Sequence, residues 1–239
     1  LAPGVRLAVI DDLADRAHAT DLLLDQNLGR LSKDYDDLLP QKAERLIGPN
    51  YALLRPEFAA LRETALAGRA ERGNTVKTVL VSMGGVDPDN ATGAVLSVLG
   101  AQLELRVTVV MGANAPALDL IQAQAAASSG RVEVIVNTSY MAGLMAKADL
   151  AIGAAGGTSW ERCALGLPTL VAVLAENQAE AAVAMSTAGA AIEIGSPQSP
   201  EFPAKLAGIL KHTQVYANLK AFSQSAASVT DGRGVTRVA

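Results

Sequence analysis

The chain has 239 residues, 50% of them hydrophobic and 18% charged, a balance too apolar for disorder and sufficient for one large or two modest cores. A formal net charge of -4 without any Lys/Arg cluster argues against nucleic acid as a partner, and no apolar run approaches the roughly 20 residues of a membrane span. One cysteine, Cys163, excludes an intrachain disulfide, and no signal-peptide pattern opens the sequence, so the expected compartment is the cytoplasm.

In chain order, the first 50 residues carry two short strand candidates, VRLAVIDD and DLLLDQN, joined by a charged turn. Two strands and a loop cannot bury a core of their own. Residues 1–50 are therefore expected to be the tail of an upstream α/β domain whose beginning is missing, an expectation that the start at Leu1, almost directly inside a strand, supports. A linker near Gly48 to Arg55, GPNYALLR, leads into the helical EFAALRETALAGR and into a second domain over residues 51–239.

From Thr75 the pattern alternates regularly. The runs KTVLVSMGG, ELRVTVVMG, RVEVIVN, DLAIGA, PTLVAV and AAIEIG are apolar and mostly β-branched, and single helical segments separate them. Strands apolar on both faces and connected by helices predict a parallel sheet of about six strands covered on both sides, a Rossmann-like α/β domain. Two further helical patterns, EFPAKLAGILKH and QVYANLKAFSQSAASV, precede the turn signal DGRG.

In such a sheet, ligands sit outside the carboxyl ends of the strands, where a following helix offers free backbone N–H groups to an anion. AIGAAGGTSWE is built that way: Gly156 and Gly157 permit close backbone approach, Thr158 or Ser159 can cap the helix, and Glu161 lies in its first turn. The spacing Thr158-x-x-Glu161 equally fits a capping box with no ligand at all. A second double glycine, Gly84 and Gly85 in SMGGVDPDN, ends another strand, so two glycine-rich mouths are expected on one crevice. No Gly-x-Gly-x-x-Gly fingerprint follows the first strand of this domain, which argues against a dinucleotide.

These segments carry a resemblance. DLAIGAAGGTSWERCALGLPTLVAVLAENQ looks like the nucleotide-binding half of the GT-B superfamily, and DDLADRAHATDLLLDQNLG, GPNYALLRPEF, VSMGGVDPDN and LAENQ together resemble the UDP-2,4-diacetamido-2,4,6-trideoxy-β-L-altropyranose hydrolases of pseudaminic acid biosynthesis. The resemblance implies a GT-B-like fold, no cofactor or metal, a monomer, and a reaction in which water attacks the anomeric carbon of a UDP-sugar and UDP leaves. It implies that Glu161 accepts hydrogen bonds from the ribose hydroxyls and that Gly156, Gly157 and Thr158 cradle the diphosphate. The backbone around Ile135 and Val136 would read the uracil edge with Met141 against the ring, Gly84 and Gly85 would border the pyrophosphate or sugar, Asn177 and Gln178 would offer amide donors, and Arg55 would stand at the interdomain hinge. Alternatives stay open: Met141 as a core methionine, Asn177 and Gln178 as a helix start, and Arg55 paired with Glu57.

The sequence departs from the family in showing no Gly-x-Gly-His segment, the source of its catalytic base, so no catalytic residue is assigned here. His18 lies in a different loop and is read as solvated or locally hydrogen-bonded, and His212 as ending a helix. The carboxylates at Asp11, Asp12 and residues 34–37 look exposed and too local for a metal cage. A glycosyltransferase using the same crevice and a non-enzymatic UDP-sugar-binding module are the alternatives.

Overall fold

The computed structural model describes residues 4–101, 104–211 and 218–239. Two parallel sheets organise it. The smaller contains β1 (Ala8–Ile10), β2 (Leu22–Asp25) and β3 (Glu44–Ile47) in that order. The third strand is a correction to the two-strand reading of residues 1–50: it reads ERLI, with Leu46 its buried residue, and no alternation betrays it. A small cluster of Leu23, Tyr35, Leu39 and Ala43 packs beneath this sheet.

The larger sheet has six strands, β4 (Thr78–Ser82), β5 (Arg106–Met111), β6 (Val132–Val136), β7 (Leu150–Ala154), β8 (Thr169–Ala172) and β9 (Ile192–Gly195). All pairs are parallel, in the order β6-β5-β4-β7-β8-β9. Chain direction across the sheet therefore reverses between β4 and β7, which is where an open doubly wound sheet forms its crevice.

Successive side chains of a strand point to opposite faces, and both faces here are apolar. Val79, Val81, Val109, Ile152 and Leu170 lie on one face, covered by α2 (Ala91–Leu99), α3 (Leu118–Ala126) and α7 (Phe202–Lys211). Leu80, Val110, Ala151 and Val171 lie on the other, beneath α1 (Pro56–Glu71), α4 (Met141–Lys147), α5 (Thr158–Ala164), α6 (Ala179–Thr187) and α8 (Leu219–Val229). This two-sided burial is why the inner runs are nearly continuously hydrophobic, whereas the edge strands β6 and β9 admit Glu133 and Glu193. The helical expectation around residues 212–217, His212 included, lies outside the described residues.

Three arginines, Arg69 buried, Arg62 half-buried and Arg72 exposed, tie α1 to its neighbours. Arg69 donates to the carbonyls of Met145, Ala148 and Leu165, at the carboxyl ends of α4 and α5, at 2.7, 2.8 and 2.8 Å. Arg62 donates to Ala164, Ala227 and Thr230, and Arg72 to Ala146 and Ala148. Helix carboxyl ends leave carbonyls without intrahelical partners and carry partial negative charge, so a guanidinium satisfies both needs. The last helix, α9 (Gly234–Val238), returns to the linker, where Arg237 donates to the carbonyl of Asn50 at 3.0 Å and grips both oxygens of Asp231.

Candidate functional site

The two glycine-rich mouths open beside each other, since Ser82 at the end of β4 pairs with Gly153 near the end of β7. They differ in chemistry. After β4, the buried carboxylate of Asp87 accepts from the N–H groups of Ala91 and Thr92 at 2.8 and 2.9 Å, and Asn90 accepts from Gly93. The first turn of α2 is thus occupied by the chain's own acceptors. Gly84 adopts a positive φ of 100°, and the Gly85 carbonyl accepts from Gly112 N–H, an approach that a Cβ on Gly112 would block at 2.2 Å.

After β7 the situation is reversed. Gly157 is the residue preceding α5 and no side chain caps that helix. Thr158 is its first residue, so the capping box is not formed: the Thr158 hydroxyl receives a hydrogen bond from Arg162 at 3.3 Å, and Ser159 also bonds Arg162. Glu161 is left without a hydrogen bond from any described residue, its side chain 17% exposed, with Arg55 Nη2 at 3.9 Å. Burial pushes its carboxyl above the usual carboxylate range, opposed by the charges of Arg55 and Arg162. A half-buried carboxylate with both oxygens open beside an uncapped glycine turn is a pair of acceptors next to a group of donors.

Of the remaining predicted residues, Asn177 and Gln178 lie beside this turn. The Gln178 Oε1 accepts from Leu174 N–H at 3.1 Å, which leaves its amide N–H groups outward, 4.0 Å from where a Cβ on Gly156 would stand. Gly156, Gly157, Asn177 and Gln178 line one wall of a cleft of about 360 Å³, and Ile10, Asp11 and Asn27 of the smaller sheet line the other. Trp160, absent from the sequence-based expectations, lines it too, although its place on α5 directly after the glycine turn was a visible signal. Gly84, Gly85, Arg55, Ile135, Val136, Met141, Thr158 and Glu161 are not in the wall of this cleft. Arg55 connects several of them: it lies at 3.0 Å from Glu57, faces Glu161, and donates to the carbonyl of Ser139 in the loop between β6 and α4 at 3.4 Å. Ile135 and Val136 end the edge strand β6, and Met141, at the start of α4, packs with Ile135 against the core below.

Two readings of the first 50 residues change. Asp11 is buried rather than exposed, accepting from Tyr35 Oη at 2.9 Å and from Ala14 N–H. These bonds lower its pKa against the opposing effect of burial, the largest single influence, and His18 adds to the lowering. His18 stands 3.4 Å from Asp11 and is not among the residues that line the cleft. Asp25 also lies 2.9 Å from the Tyr35 hydroxyl, whose single proton the two carboxylates share, and pairs with Arg30 at 3.0 Å.

The family model for the glycosyltransferase family 28 C-terminal domain matches residues 78–230. The chain belongs to this family. The match begins at β4 and takes in the whole six-stranded sheet with both glycine mouths. The spore coat polysaccharide biosynthesis protein SpsG of Bacillus subtilis (strain 168) is 27% identical over 194 residues, 80% of this chain and 56% of that protein. The chain thus spans about half the length of this relative. The crystal structure of MurG from Acinetobacter baumannii superposes with a TM-score of 0.64 at 16% identity, over 98% of this chain and 65% of the other. A putative UDP-N-acetylglucosamine 2-epimerase from Listeria monocytogenes gives 0.57 at 16% identity, over 92% and 57%. These likenesses establish a GT-B-like fold for the family 28 chain. No helix of the described residues is long and apolar enough to cross a membrane.

Proposed function

We propose that the chain binds the UDP moiety of a nucleotide sugar at the β4/β7 crevice and belongs to an enzyme that cleaves the bond between sugar and diphosphate. The observation that carries this is the pairing of Glu161, a half-buried carboxylate with no hydrogen-bond partner among the described residues, with the uncapped turn at Gly156 and Gly157. A ribose cis-diol presents two donors to such a carboxylate, and a diphosphate presents acceptors to the turn. Gln178 and Asn177 lie on the path from diphosphate to sugar, Ile135, Val136 and Met141 toward the base, and Gly84 and Gly85 beside the leaving oxygen. Asp87 fills the N–H groups behind Gly84, so in this reading the β7 turn carries most of the phosphate recognition.

The reaction we favour is hydrolysis of a UDP-linked 2,4-diacetamido-2,4,6-trideoxy sugar: water bonds to the anomeric carbon, the bond to the diphosphate oxygen breaks, and UDP departs with its charge held by the turn. No catalytic base is assigned within residues 1–239. Residues 1–50 would face the cleft from an N-terminal α/β domain, residues 51–239 would form the UDP-binding domain, and the protein would act as a cytoplasmic monomer. Membership of a glycosyltransferase family supports a second reading, in which an acceptor hydroxyl replaces water.

Calorimetric titration with UDP, ADP and NAD tests the nucleotide, with UDP expected to bind tightest and equal or tighter NAD binding refuting it. Turnover of the UDP-sugar in ¹⁸O-water separates the reactions: label in the released sugar marks hydrolysis, and dependence on an added acceptor marks transfer.

A further inference from the structure

Arg162 is the largest of the fully buried side chains, and its position is costly. Its Nε has no hydrogen-bond partner, and the guanidinium is absent from the ion pairs of the described residues. Burial pushes its pKa down to about 10, so it remains a cation at neutral pH. An apolar side chain of similar volume fills such a place without desolvating a charge. The strand above also yields to it: a Cβ on Gly153 would fall 2.4 Å from Arg162 Nη1, and 2.9 Å from the Ser82 carbonyl.

All that this cation holds is the glycine turn. Nη2 donates to the Ala154 carbonyl at 2.6 Å and to Ser159 Oγ at 2.9 Å, and Nη1 donates to Thr158 Oγ1 at 3.3 Å. A guanidinium has donors only, whereas a hydroxyl has one proton and two acceptor sites. Thr158 Oγ1 is therefore the acceptor in its contact with Arg162, and its proton points elsewhere. Among the described residues it donates to none. Gln178 is oriented by the same logic, its oxygen taken by Leu174 N–H and its amide protons left over beside Gly156.

We infer that Arg162 is a positioning residue that fixes the Thr158 hydroxyl as a donor toward the diphosphate of the bound nucleotide and holds a positive charge beneath the turn. The inference rests on the UDP reading above. It accounts for a buried cation outside the ion pairs of the described residues, one helical turn behind the phosphate-facing residue, where a structural role alone favours a hydrocarbon.

The test compares affinities for UDP and for uridine, which lacks the phosphates, by calorimetry on wild type, Arg162→Gln, Thr158→Val and the double variant. Arg162→Gln is expected to lower UDP affinity about tenfold and to leave uridine unchanged, as loss of a charge-assisted donor predicts. Thr158→Val should give a similar loss, and the double variant little more than either single one. Should Arg162→Gln not fold, Arg162→Lys carries the test, since an ammonium keeps the charge but cannot reach three acceptors as the fork does; its UDP-to-uridine selectivity must also fall. Equal losses for UDP and uridine, or unchanged selectivity in a folded variant, overturn the inference alone. A wild type that does not bind UDP overturns the nucleotide reading and this inference together.

Discussion

Arg55 Nη2 and Glu161 Oε1 face each other at 3.9 Å, one from the residue preceding α1 and the other from the first turn of α5. The separation is that of an ion pair without a hydrogen bond, and Arg55 makes its closer contact, 3.0 Å, with Glu57. The charge of Arg55 therefore opposes the burial that raises the Glu161 pKa, without occupying its oxygens. The acceptor capacity of Glu161 stays open toward a ligand.

Glu161→Gln is expected to weaken UDP binding by about 1 to 3 kcal/mol through loss of one charge-assisted acceptor. Its melting temperature should be unchanged or raised, because the substitution removes a carboxylate whose burial disfavours the ionised form. Paired calorimetry and thermal unfolding check this. A lowered melting temperature with unchanged affinity would assign Glu161 a structural role.

The pH dependence follows from the same group. Its pKa is raised in the folded state, so the folded protein holds the proton more tightly than the unfolded chain does, and ionised Glu161 subtracts from stability at pH above that raised value. The penalty disappears as pH falls below the ordinary carboxyl range. UDP affinity runs the opposite way, declining as pH drops through the raised pKa, at higher pH than for an ordinary glutamate. Affinity measured from pH 7 to pH 4 should show this decline in wild type and a flatter profile in Glu161→Gln.

Asp87→Ala separates the two glycine mouths. Asp87 accepts from two N–H groups at the start of α2, so its loss should cost about 1 to 2 kcal/mol of stability, as for other helix caps. UDP affinity should change little if the β7 turn carries the phosphate. Chemical denaturation and calorimetry provide the two measurements, and a large loss of affinity in a folded variant would move the phosphate to the β4 mouth.

Arg69→Met should destabilise the fold by about 2 to 5 kcal/mol, since it leaves three buried carbonyls of α4 and α5 without donors. The midpoint of urea unfolding reads this out. A shift equivalent to less than about 1 kcal/mol would show that water replaces the guanidinium at those helix ends.

The sequence by itself determined the six-stranded sheet, because strands buried on both faces must be apolar at consecutive positions: Val79, Leu80 and Val81 alternate between two cores and all three read as hydrophobic. It also placed the turn at Gly156 and Gly157 at the end of a strand. Strand β3 escaped it, since in ERLI only Leu46 is buried and nothing in four residues alternates. The tertiary structure alone decided what the polar groups do. Thr158-x-x-Glu161 has the spacing of a capping box, yet the helix begins one residue too early for it and Arg162, buried beneath Gly153, takes the threonine oxygen instead. The two double glycines look equivalent as sequence, and they differ because Asp87, three residues past Gly84, folds back onto the N–H groups of α2 while no carboxylate does so at α5. Apolar periodicity is a local property of the chain, whereas the partner of a buried hydroxyl, amide or carboxylate is chosen by whichever groups the packed fold brings within hydrogen-bonding distance.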